Sequence, residues 1–63
     1  MANDYGVYKD ATVWVKSTNP LEFGSADQAQ TWSETDAMAV ASYLSITEGQ
    51  EFRVGRPDDR HGH

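Results

Sequence analysis

The sequence predicts an α+β fold of ββαβ order, in which a three-stranded antiparallel sheet of order 2-1-3 carries one helix packed on one face. Three observations predict it. A β-branched and aromatic run occupies residues 11–16, an apolar stripe at helical spacing follows Ser33, and an alternating run occupies residues 50–55.

In the first run, Ala-Thr-Val-Trp-Val-Lys, Val13 and Val15 face one way and Thr12, Trp14 and Lys16 the other. Ser17-Thr18-Asn19-Pro20 then supplies turn chemistry, since proline fixes φ and Ser and Asn side chains bond locally to backbone. The chain reverses there. Residues 28–32 are expected to form the main second strand, with Leu21 and Phe23 closing the loop or lengthening the hairpin.

Ser33 reads as a helix N-cap, with Glu34 and Asp36 at the positive end of the helix dipole. Ala37, Val40, Ala41 and Leu44 recur at i, i+3, i+4 and i+7, flanked by Met38 and Tyr43, and Glu48-Gly49 closes the segment. The stripe needs a sheet to cover it, and its alanines permit a close approach. In residues 50–55, Phe52 and Val54 share one face and Glu51 and Arg53 the other. The helix is expected to return this third strand to the free edge of the first, leaving the second sheet face and an edge open.

With 63 residues and no cysteine, the chain has room for one domain over residues 1–55 and no disulfide staple. Residues 56–63 are expected to form a mobile polar tail. No apolar run is long enough to span a membrane, and residues 1–10 lack the basic and apolar regions of a signal peptide, so a cytoplasmic location is expected. The only histidines, His61 and His63, fall in the tail, no glycine-rich phosphate loop is present, and two tail ligands do not make a closed metal site. A non-enzymatic protein without metal or cofactor is expected.

Charge order carries the functional signal. Ten acids against five bases give a formal charge of −5, which opposes direct binding to nucleic acid or anionic lipid. Between Lys16 and Arg53 there is no lysine or arginine, but there are six acids: Glu22, Asp27, Glu34, Asp36, Glu48 and Glu51. Asp4 and Asp10 add to them, while the bases collect near the first strand and the C-terminal end. Such acids solubilise a small protein and cap its helix. They also suit electrostatic mimicry, in which carboxylates spaced like phosphates occupy a cationic nucleic-acid groove.

In size, acidity, lack of cysteine and element order, residues 8–55 resemble the small phage-borne anti-CRISPR proteins that inhibit type I-C Cascade surveillance complexes. The resemblance rests on general character, and no residue is transferred by motif. It implies a monomeric inhibitor in the bacterial cytoplasm that binds the cationic DNA-binding surface of a host CRISPR effector subunit and blocks target-DNA recognition. The six acids named above are the candidate contacts. The rival expectation is a small phage structural or assembly protein acting through its open sheet face or edge.

Overall fold

The computed structural model describes residues 3–57. The α+β class holds, with one helix on an antiparallel sheet, but the sheet has four strands in the order β3-β2-β1-β4. These are β1 (Gly6–Asp10), β2 (Val13–Thr18), β3 (Leu21–Gly24) and β4 (Arg53–Gly55), and the helix α1 covers Glu34–Glu48.

The strand absent from the sequence reading is β1. It turns through Ala11 and Thr12 into β2, with Tyr8 opposite Trp14 and a register shift between Tyr8 and Asp10. Its other edge takes β4, pairing Gly6 with Gly55, Val7 with Val54 and Tyr8 with Arg53. The returning strand therefore joins β1, and the expected 2-1-3 order gives way to 3-2-1-4. The β2–β3 turn contains a cis Asn19–Pro20 peptide, and Ser17 Oγ donates to Pro20 O at 2.7 Å.

Residues 28–32, expected as the main second strand, form none. The 3₁₀ turn Ala26–Gln28 takes the start of the segment, and its remainder makes only isolated main-chain bonds. Gln30 N–H donates to Val15 O at 3.0 Å, and Trp32 and Tyr5 exchange both bonds at 2.7 and 3.0 Å. The polar Gln28, Gln30 and Thr31 give this stretch no side to bury, so Leu21–Gly24, with Phe23 inward, becomes the strand.

Val7, Val15, Ala37, Ala41, Leu44 and Phe52 form the core between sheet and helix, with Tyr5, Leu21, Phe23, Trp32, Val40 and Val54 packed around it. Ala37 is fully buried, so the helix backbone comes close to the sheet. Phe23 and Phe52 stack with ring centroids 6.3 Å apart, and Lys9 Nζ lies 4.5 Å from the Phe23 ring centre. Phe52 N–H donates to Ser45 Oγ at 3.0 Å, tying the strand entry to the last helical turns.

The sheet face away from the helix is not bare. Trp14 alternates with Val15, so it points to that face, yet it is fully buried. The Tyr8 ring packs against it, tilted by 39° at a centroid distance of 4.7 Å, and the Trp14 indole donates to Ala11 O at 3.3 Å. Pro57 is buried against the same cluster. Arg56 donates to Asp4 at 3.1 Å and lies 5.7 Å from the Tyr5 ring centre. Of these, Arg56 and Pro57 were assigned from the sequence to the polar tail; Pro57 is buried, and Arg56 is exposed but paired with Asp4. Residues 58–63 of that tail, including His61 and His63, lie outside the described residues.

The helix ends where its sequence signals place them. Ser33 Oγ accepts from Asp36 N–H at 3.3 Å, and Gly49 closes the helix at φ 69°, a left-handed conformation that suits glycine. Ser33→Ala is expected to cost about 1 kcal/mol, read as a lower urea midpoint at unchanged m-value.

Candidate partner-binding surface

All six acids singled out from the sequence are exposed. Glu22 lies on the edge strand β3, opposite Ser17, and Asp27 sits in the 3₁₀ turn, accepting from Ser25 Oγ at 3.2 Å. Glu34 and Asp36 occupy the first turn of α1, where the dipole stabilises a carboxylate. Glu48 ends the same helix, where the dipole opposes a carboxylate and no base stands in the last turn. Glu51 follows in the connection to β4.

One of the six is paired: Glu51 meets Arg53 at 3.4 Å. Both side chains are well exposed, so the pair contributes little to stability. Glu22, Asp27, Glu34, Asp36 and Glu48 have no ion-pair partner among the described residues. Two of the described bases are engaged elsewhere, Lys9 over Phe23 and Arg56 with Asp4.

Helical geometry separates the carboxylates of α1. Glu34 and Asp36 are two positions apart, so they project about 200° from each other around the axis. Glu34 and Glu48 point within about 40° of one another but stand about 21 Å apart along it. Duplex DNA presents one charge per about 1.7 Å of axis, far denser than this helix. From Ala37 to Thr47 the helix has no charged residue at all.

This neutral band is what the sequence reading missed. Met38, Tyr43 and Ile46 are 58, 65 and 79% exposed, so apolar side chains lie well outside the core stripe. Beside the band, Thr18 of β2 and Ala39, Val40, Tyr43 and Leu44 of α1 line an open, mostly apolar groove of about 350 Å³. The available signal was the uncharged eleven-residue run itself, with Tyr43 and Ile46 off the buried spacing. The groove needed the third dimension, because Thr18 comes from another element.

Among the described residues no three His, Cys, Asp or Glu side chains come together as a metal site. No described helix is long and apolar enough to cross a membrane. Comparison of the chain with family models, with curated proteins and with solved structures gives no match.

Proposed function

We propose that this chain is a non-enzymatic inhibitor that places its carboxylates on the cationic DNA-binding surface of a larger partner. The observation that carries the reading is the set of five exposed acids, Glu22, Asp27, Glu34, Asp36 and Glu48, none ion-paired within the described body. Charges left without internal partners keep their field for an external one, and that field speeds encounter with a basic groove. Glu48 adds weight, because its place at the helix end does not serve the helix. The anti-CRISPR resemblance supplies the partner class: a subunit of a Cascade-type complex in the bacterial cytoplasm, blocked before it reads target DNA. The spacing along α1 gives the mimicry a particular form, with acidic ends and a neutral middle rather than a continuous phosphate-like row.

The test is competition between the chain and target DNA for a purified type I-C Cascade complex. Inhibition is expected to weaken as ionic strength rises from about 0.01 to 0.15 M and the screening length falls from about 30 to about 8 Å. The double variant Glu34→Lys, Asp36→Lys, with its fold checked by circular dichroism, is expected to inhibit about tenfold less potently at low salt. Equal potency of the folded variant would refute the reading.

A second reading, a phage structural or assembly protein, draws on β3, an edge strand with one unpaired side, and on the exposed Met38, Tyr43 and Ile46. Its sheet-face version would act through Tyr8 and Pro57, which cover Trp14. A hydrodynamic mass that grows with concentration would favour this reading over inhibition by a monomer.

A further inference from the structure

We propose that copies of this chain join edge to edge, β3 of one on β4 of the next, through a junction in which Glu22 meets Arg53 of the neighbouring copy. The proposal goes beyond the carboxylate reading, since Glu22 alone of the five unpaired acids enters the junction, and it gives the assembly reading a partner. The order β3-β2-β1-β4 leaves one side of β3 and one side of β4 without a strand. Residues 21–24 and 53–55 make no main-chain bond outside their ladders with β2 and β1 among the described residues. Edges of this kind accept another extended chain.

Direction, face and charge all fit a second copy. Every neighbouring pair in the sheet is antiparallel, so β3 and β4 run in opposite directions, and a copy set beside this one in the same orientation continues the sheet. Leu21, Phe23, Phe52 and Val54 pack toward the helix side, so Glu22 and Arg53 both project from the other face. Each strand carries one charged side chain, and the two are opposite in sign. Registers that keep the faces aligned differ by two residues. In one, Glu22 stands opposite Arg53 of the next copy and Leu21 opposite Val54. In the other, which engages all of β4, Glu22 stands diagonal to that Arg53 and Phe23 opposite Val54, and a guanidinium reaches either position. Within its own chain Arg53 meets Glu51 at 3.4 Å with both side chains well exposed, a contact that costs little to give up.

Like edges do not fit. β3 against β3 sets Glu22 opposite or diagonal to its own counterpart, and β4 fully engaged with β4 sets Arg53 diagonal to its own. Because the junction joins unlike edges, it repeats from copy to copy and builds an open row rather than a closed pair. With strands this short it buries less than a standard interface, so the association is weak and concentration-dependent. The net charge of −5 per chain opposes it at low salt. At about 0.15 M the screening length of about 8 Å still exceeds the cross-strand separation of about 5 Å, so the junction pair persists while more distant repulsion fades.

Sedimentation equilibrium of the full chain at that ionic strength is expected to give a mass that rises with concentration, and amide NMR to show the accompanying shifts at residues 21–24 and 53–55. Glu22→Arg and Arg53→Glu, both at exposed positions and with folding checked by circular dichroism, are each expected to weaken association about tenfold. For Glu22→Arg the sign is diagnostic, because the substitution lowers the net negative charge and would strengthen association if overall repulsion governed it. An equimolar mixture of the two variants, and the double variant Glu22→Arg, Arg53→Glu, are expected to return to the parent level, since each again sets unlike charges across the junction. A chain that stays monomeric up to millimolar concentration would overturn the proposal. So would association that neither variant weakens, that only one of them weakens, or that the mixture fails to restore. Glu34 and Asp36 lie outside the junction, so the DNA-competition assay decides the carboxylate reading whichever way these results fall.

Discussion

Trp14→Ala is expected to remove a third or more of the chain's stability at 25 °C. The indole has no exposed surface, although it lies on the sheet face opposite the helix and outside the main core cluster. Its room comes from two glycines paired across β1 and β4, Gly6 and Gly55. A Cβ built on Gly6 would stand 3.1 Å from two indole carbons and from Pro57 Cγ, and one on Gly55 would stand 3.0 Å from the Tyr8 ring. The ring therefore fills the gap that the glycines leave in the sheet, and Tyr8 and Pro57 close over it. Truncating a fully buried tryptophan costs about 3–5 kcal/mol. A domain of this size has about 3–9 kcal/mol in total. Urea titration followed by circular dichroism reads the outcome, with Trp14→Phe expected to fall between the parent and the alanine variant. A loss under about 1 kcal/mol for Trp14→Ala would mean that this second cluster does not hold β1 and β4 together.

That cluster also explains why β1 was the least legible element. Gly-Val-Tyr-Lys-Asp begins with a residue that weakens strands and ends with two charged ones, so its local propensity is poor. What makes it a strand is remote: the indole over Gly6, the pairing with Gly55, and Val7 in the helix-facing core. The helix was legible for the opposite reason. Ser33 and Gly49 act through their own backbone neighbourhood, and the stripe from Ala37 to Leu44 has one side that must be covered. Residues 28–32 mislead because Ala29 and Trp32 look strand-compatible, while the glutamines between and beside them leave no continuous inward face. For the surface, exposure and lack of pairing follow from a run without bases, but direction does not. Whether two carboxylates point together depends on their angle around a helix and on which elements meet: the angle between Glu34 and Asp36 follows from the helix that Ser33 announces, but Thr18 and Val40 show their relation only once the chain is folded.

Leu44→Ala and Ile46→Ala are expected to differ sharply in stability, although the two residues are similar in size and stand two apart on one helix. Leu44 is 4% exposed and belongs to the core with Val7, Val15 and Phe52, whereas Ile46 is 79% exposed. Removing Leu44 loses the transfer energy of its side chain and leaves a space that close-packed neighbours fill incompletely, for a cost of about 2–5 kcal/mol. Because Leu44 also borders the open groove, part of that space opens to water, which favours the lower half of the range. Removing Ile46 takes nothing from the core, and alanine is the better helix former by a few tenths of a kcal/mol, so the change should stay within about 0.5 kcal/mol of zero. Urea midpoints at a common m-value compare the two. A difference below about 1 kcal/mol would mean that the helix presents another side to the sheet, since a turn of about 200° exchanges the positions of Leu44 and Ile46. The same rotation would dismantle the groove, so this pair of variants tests the placement of Val40 and Tyr43 without any partner being present.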